Sequence, residues 1–218
     1  MKSKSNKSSE SRLTILTLSE QKSIYGFPRF DNQERKYYFA ISKIEKDILD
    51  SQFRGFTSKL FFLLQLGYFK ATFQFFHFKH QDLPEDTHYI VKKYFPHHSK
   101  ERFKGIYTKK LRQSHVAQIL KLLSYRLASK NDRKDMLEKA KSIVFIDANP
   151  KYIFKELLRF SREKKFVLPS YTSMQDMISK AIFEQEKKLY KSYVHCSAKT
   201  LKQSWIHCFT KNLKHDTS

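Results

Sequence analysis

Thr57-Ser58-Lys59-Leu60-Phe61-Phe62-Leu63-Leu64-Gln65-Leu66-Gly67-Tyr68-Phe69-Lys70-Ala71-Thr72-Phe73-Gln74-Phe75-Phe76 is the stretch whose reading decides the fold. It is apolar around most of the circumference of a helix, so it predicts a helix over 57–76 buried on nearly all sides. A membrane span needs roughly 18 nearly uninterrupted apolar residues. Over Leu60–Phe78, Gln65, Lys70, Gln74 and His77 break the apolar run, so a core helix is the better reading.

Upstream, three segments begin with a capping side chain three residues before a glutamate: Thr17 with Glu20, Asp31 with Glu34 and Ser42 with Glu45. The two side chains can then satisfy each other's main-chain N–H groups, which marks a helix start. Gly26-Phe27-Pro28 follows the first segment and Arg54-Gly55 the third. Three short helices therefore feed one long spine. Downstream, Asp82-Leu83-Pro84-Glu85 opens a helix that Pro96 ends, with Pro tolerated in the first turn. Another opens at Thr108, with Val116, Leu120, Leu123 and Leu127 at helical spacing. Further starts stand at Asp132, at Asn149-Pro150 and at Thr172–Gln175, the last helix running past Tyr190. With only four glycines and five prolines and no useful strand alternation, the expected class is all-α.

The expected organisation is a disordered basic arm over 1–12, a first helical unit over 13–80 and a second over 81–130. C-terminal helices over 131–206 and a tail over 207–218 complete it. The two units are expected to be helix-turn-helix-like and arranged in tandem.

Charge narrows the partner. Lys and Arg number 43 against 21 Asp and Glu, a net +22. Residues 1–12 hold only Lys2, Lys4, Lys7 and Arg12 against Glu10, so the excess belongs to the fold. Such a surface attracts polyanions through counterion release. The nine histidines are expected to strengthen that attraction below about pH 6.5. Cys196 and Cys208 are too few for a disulfide framework, which suits a reducing cytoplasm. Met1 to Ser11 lacks the apolar core of a signal peptide.

DNA readers place a helix whose first turns are exposed, basic and able to hydrogen-bond. Two places fit. One is the helix from Ser42 to about Asp50, a turn containing Arg54, and the helix opening with Thr57, Ser58 and Lys59. The other is the helix from Pro84 followed by the one opening with Thr108, Lys109, Lys110, Arg112, Gln113 and His115. The second is chemically richer, with three cations for phosphate or guanine and Gln113 and Ser114 for base or backbone contacts. No Gly-rich phosphate loop or hydrolase motif occurs. Asp132, Asp135, Asp147 and Asp176 read as helix caps or surface residues, so no catalytic residue is expected. His195-Cys196 and His207-Cys208 are zinc-like in type, but neighbours on a helix point about 100° apart, so no metal or other cofactor is expected.

At these same residues the chain resembles a known family. Leu16–Glu20 with Gly26-Phe27-Pro28, then Tyr38–Ser42, then Lys59–Lys70 resemble the N-terminal region of Tn3-family transposases. Tyr107-Thr108 with Arg112, His115 and Ile119, then Leu123-Ser124-Tyr125-Arg126, then Val167-Leu168-Pro169-Ser170 continue the likeness over residues 13–190. The resemblance implies a bipartite helical region binding double-stranded DNA at the transposon's terminal inverted repeats, with Arg126 added to the DNA-contacting set. Lys59 stands where the family favours Arg and loses the bidentate fork; Phe61 stands where it favours Gly. The family's catalytic carboxylates lie far beyond this region and the chain stops at Ser218, so a non-enzymatic, DNA-binding portion is expected. It would associate with the bacterial nucleoid, would bind no membrane or small-molecule substrate, and could meet full-length transposase at the same ends. The rival reading is a regulatory or interaction module for RNA or protein.

Overall fold

A computed structural model describes residues 13–98 and 106–212, side chains at 80 and 195–212 excepted. The arm expected over 1–12 and residues 213–218 of the expected tail lie outside the described residues, as do the side chains of the His/Cys pairs at 195–196 and 207–208.

Among the described residues the protein is all-α. The helices are α1 (Leu18–Tyr25), α2 (Asn32–Tyr38), α3 (Lys43–Gln52), α4 (Phe56–Thr72), α5 (Pro84–Tyr94), α6 (Lys109–Leu123), α7 (Lys130–Ile146), α8 (Pro150–Glu163) and α9 (Tyr171–Asn212). The three capping boxes form as the sequence dictates: Thr17, Asp31 and Ser42 each trade hydrogen bonds with the glutamate three residues on. A fourth opens α7, where the cap is Ser129 and Asp132 is its reciprocal partner, three residues before the expected start. Asn149 caps α8 and Ser170 caps α9. Asp82 caps a short 3-10 turn at His80–Asp82, leaving α5 to begin at Pro84 without a side-chain cap.

The spine stops earlier than its apolar pattern predicts. At Phe73 the backbone turns left-handed, φ 58°, and the chain leaves the helix. Two side chains hold this exit. Thr72 Oγ1 accepts from the Gln74 N–H at 3.3 Å. The buried Gln65 amide pairs with the main chain of Phe76, its oxygen accepting at 3.0 Å and its nitrogen donating at 3.3 Å. A polar group with no exposure inside an apolar helix thus finds both partners in the segment that folds back over it. The Phe73 ring in turn stacks on Tyr125, centroids 5.4 Å apart.

Two compact units result. One holds residues 16–133 and 158–173. Its core is α4, buried at every position from Leu60 to Phe69, enclosed by Phe30, Phe39, Leu49, Phe53, Phe78, Ile90, Tyr107 and Ile119. The boundary expected at 80/81 falls inside this core, because α5 and α6 pack on α4 together with α2 and α3. A buried ionic bond joins three of these helices: Arg35 Nε donates to Asp86 Oδ1 at 2.7 Å, and Tyr68 Oη donates to Asp86 Oδ2 at 2.6 Å. Lys70 donates to the Ala40 carbonyl and to Glu45, anchoring the start of α3 to α4. After α6 and after α8 the chain forms an isolated parallel bridge between Arg126 and Phe166; no longer strand pairing occurs among the described residues.

The other unit holds 13–15, 134–157 and α9 from 174 onward. Met136, Ala140, Ile143 and Val144 of α7, Ile153, Phe154 and Leu157 of α8, and Met174, Ile178 and Ala181 of α9 form its buried set. Their helical spacing shows one apolar stripe per helix. Lys141 ties α7 to α9 through Glu184 at 2.7 Å.

Candidate nucleic-acid interface

The helix macrodipole leaves partial positive charge at an N-terminus, so acids are favoured there and cations opposed. α1, α2, α3 and α5 obey, with Glu20, Glu34, Glu45, and Glu85 with Asp86 in their first turns. α6 does the opposite: no acid, and Lys109 and Lys110 directly after the Thr108 cap. Thr108 Oγ1 accepts from the Leu111 N–H at 3.3 Å, capping the helix start. Lys109, Lys110 and Gln113 are exposed and Arg112 is half-buried. Arg112 lies near the buried Tyr107 hydroxyl, whose own ionisation burial pushes above its ordinary range. This end of α6 therefore adds cations to a positive dipole, and a bound anion would relieve both.

His115 sits elsewhere than the sequence suggested. It is fully buried on the core side of α6 with Ile119, one residue offset from the Val116/Leu120 face expected. Its Nε2 is 3.2 Å from Ser58 Oγ and its Nδ1 is 3.2 Å from Tyr107 Oη. Phe53 and Phe62 meet the ring edge-on, at 4.8 and 5.6 Å between centroids. Burial pulls the imidazole pKa down from 6.5 to about 4, so the ring is neutral at pH 7. His115 is accordingly an interior residue and is not placed to read a base, while the half-buried Ser58 turns its hydroxyl to the His115 ring.

The other sequence candidates divide. Arg54 is exposed in the turn between α3 and α4, where Gly55 takes φ 80°. Thr57 is half-buried beside it. Lys59 pairs with Asp50 at 2.5 Å, which neutralises much of its charge locally. Arg126 is held bidentate by Asp132, Nη2 donating at 2.7 Å, and lies over the Phe166 ring at 4.4 Å. That arrangement pins the bridge between 126 and 166. Leu127 is exposed beyond the end of α6, which Ser124 terminates with φ 56°. What the structure brings together is Phe53 and Ser58, on either side of the α3–α4 turn, with His115 in the second turn of α6.

Asp132 is engaged by Arg126 and Ser129, which hold its carboxyl below the usual carboxylate range. Asp147 accepts from the Asn149 N–H. Among the described residues no group of three or more His, Cys, Asp or Glu stands together as a metal site. No helix among them is long and apolar enough to cross a membrane. Sequence reasoning gave Phe53 and Tyr107 no place beside His115, whose ring they frame. It also missed an open cleft of about 550 Å³ lined by Phe27, Arg29, Phe30, His77, Phe78 and Asp86. No local signal marks the cleft, since its walls come from segments far apart in the chain.

A family model described as a domain of unknown function, DUF4158, matches residues 15–181. The match ends at Ala181, the last buried residue among the described side chains of α9. No curated protein matches the chain.

Proposed function

The chain belongs to the DUF4158 family, and from that premise we propose that it binds duplex DNA, as a transposase end-recognition region does. One observation carries the reading: the first two turns of α6 present Lys109, Lys110, Arg112 and Gln113 with no acid among them. Cations placed there oppose the helix dipole at a cost of roughly 0.3–1 kcal/mol each. Phosphate offsets that cost, and the exposed amide of Gln113, directly after Arg112, suits a base edge. The net charge of +22 favours the same partner. The resemblance of the α1–α4 and α6 motifs to Tn3-family transposases supports transposon-end inverted repeats as the target.

In this reading α6 is the recognition helix of a helix-turn-helix-like arrangement in which the α3–α4 turn adds Arg54. Lys109, Lys110 and Arg112 grip phosphates, and Gln113 discriminates between base pairs. The test is a mobility shift at about 150 mM salt, comparing a Tn3-type terminal repeat with a scrambled duplex. Preference for the repeat is expected. Equal affinity for both removes the sequence-specific claim, and indifference to DNA with retained binding to RNA or to a protein favours the interaction-module reading.

A further inference from the structure

The two sequence segments that looked like separate readers converge on one side chain. Phe53, one residue before Arg54, meets His115 edge-on. Ser58, in the first turn of α4, is hydrogen-bonded to the same ring, and so is Tyr107, two residues before Lys109. A neutral imidazole donates from one nitrogen and accepts at the other, so one hydroxyl receives its proton and the other gives one. The bonds therefore fix the ring, and the ring fixes both segments. Further along, Tyr125 meets Phe69 and Phe73, so the chain directions through α4 and α6 agree over this stretch. All of these residues belong to one compact unit.

We infer that Arg54 and the first two turns of α6 form one DNA-contacting surface, with His115 as the positioning residue that sets their spacing. The inference rests on the DNA-binding reading and replaces two tandem readers with a single one. His115 touches no DNA. Its effect passes through Ser58 and Phe53 to the α3–α4 turn, and through Tyr107 to Lys109 and Lys110. A base-reading side chain must be placed to a few tenths of an ångström, whereas a phosphate-gripping one tolerates more. Loosening the join should therefore erode discrimination before it erodes affinity.

Two measurements on the full chain test this. In the first, the phosphates of the terminal-repeat duplex that the protein protects are mapped for the wild type, Arg54→Ala and Lys109→Ala/Lys110→Ala. The phosphates that become unprotected in the two variants should fall within about one turn of the duplex, 10–10.5 bp. Unprotected phosphates more than a turn apart mean two independent readers and overturn the inference. In the second, Ser58→Ala, Tyr107→Phe, His115→Gln and His115→Ala are compared on repeat and scrambled duplexes, with melting curves to confirm folding. Repeat-over-scrambled preference should fall by about tenfold, the discrimination that one base-reading hydrogen-bond pair supplies, with the salt slope kept. His115→Gln, retaining one bond, should lie between wild type and His115→Ala. Parallel losses on both duplexes that track the folded fraction mean a merely structural histidine and overturn the inference. A wild type that binds neither duplex overturns the DNA-binding reading, and a wild type with normal preference beside unaffected variants overturns only this one.

Discussion

The Phe39 ring occupies the space that a side chain on Gly67 would need. A β-carbon built there would lie 2.3 Å from two ring atoms of Phe39. α4 is buried from Leu60 to Phe69, and at Gly67 the residue that ends α2 packs directly on its backbone. Phe39 is itself held by Phe30 and Tyr68, at 5.4 and 5.8 Å between centroids, and its carbonyl accepts from Tyr94 Oη at 2.7 Å.

Gly67→Ala is accordingly expected to destabilise the protein, although alanine is the better helix former by about 1 kcal/mol. Displacing a ring packed on several sides costs typically about 1–3 kcal/mol and outweighs that gain. Denaturant unfolding measures the difference; a variant as stable as the wild type would show that the ring moves freely.

Asp86→Ala should be more damaging. The carboxylate is buried and takes one bond from Arg35 and one from Tyr68. Removing it leaves a guanidinium with little exposure short of its main partner, which costs about 3–5 kcal/mol. Tyr68→Phe, by contrast, leaves the Arg35 bond in place and should cost only about 1 kcal/mol. Equal losses in the two variants, measured by thermal melting, would contradict this ranking.

Acid should weaken the fold through His115. Its folded pKa of about 4 lies below the ordinary 6.5, so the unfolded chain takes up the proton first. The stability that the neutral ring contributes is full above about pH 6.5, declines between pH 6.5 and 4, and is gone below that, a total of about 3 kcal/mol. Unfolding free energies across that window should be steeper for the wild type than for His115→Gln. Coincident slopes would refute the assignment. The same depression means His115 adds no charge for DNA between pH 7 and 5, unlike the expectation that all nine histidines help.

Lys109→Ala, Lys110→Ala and Arg112→Ala should weaken binding to every duplex, each flattening the dependence of log K on log salt by about one unit for every phosphate released. Gln113→Ala should lower discrimination and leave the salt slope alone. Lys59→Ala should do less than Arg54→Ala, because Asp50 already pairs with Lys59. If Lys59 matters more than the α6 lysines, the wrong helix has been assigned.

Much of the helical framework is legible residue by residue because capping is local. Thr17, Asp31 and Ser42 can meet their glutamates only if a helix begins there, and they do. The end of α4 was not legible. Its apolar pattern continues through Phe76, and only the fold-back of 73–76 onto Gln65 shows where the helix must stop. The same limit applies to the candidate site. Lys109, Lys110 and Gln113 are exposed because they lie opposite a core face that spacing alone can place to within a residue or so. His115 stands at that margin, and a one-residue error in the face moved it from the surface to the interior.

The sequence by itself determined the helical class, most helix starts and the excess of positive charge, since these follow from neighbours within a turn or from composition. Only the tertiary structure decided that the segments on either side of residue 80 share one core, and that Ser58, Tyr107 and Phe53 converge on His115. Those pairings join residues up to 62 positions apart, and helical periodicity carries no information about which apolar face meets which. Packing settles that choice, because the observed arrangement buries α4 from Leu60 to Phe69 while giving Gln65, Asp86 and His115 their hydrogen-bond partners.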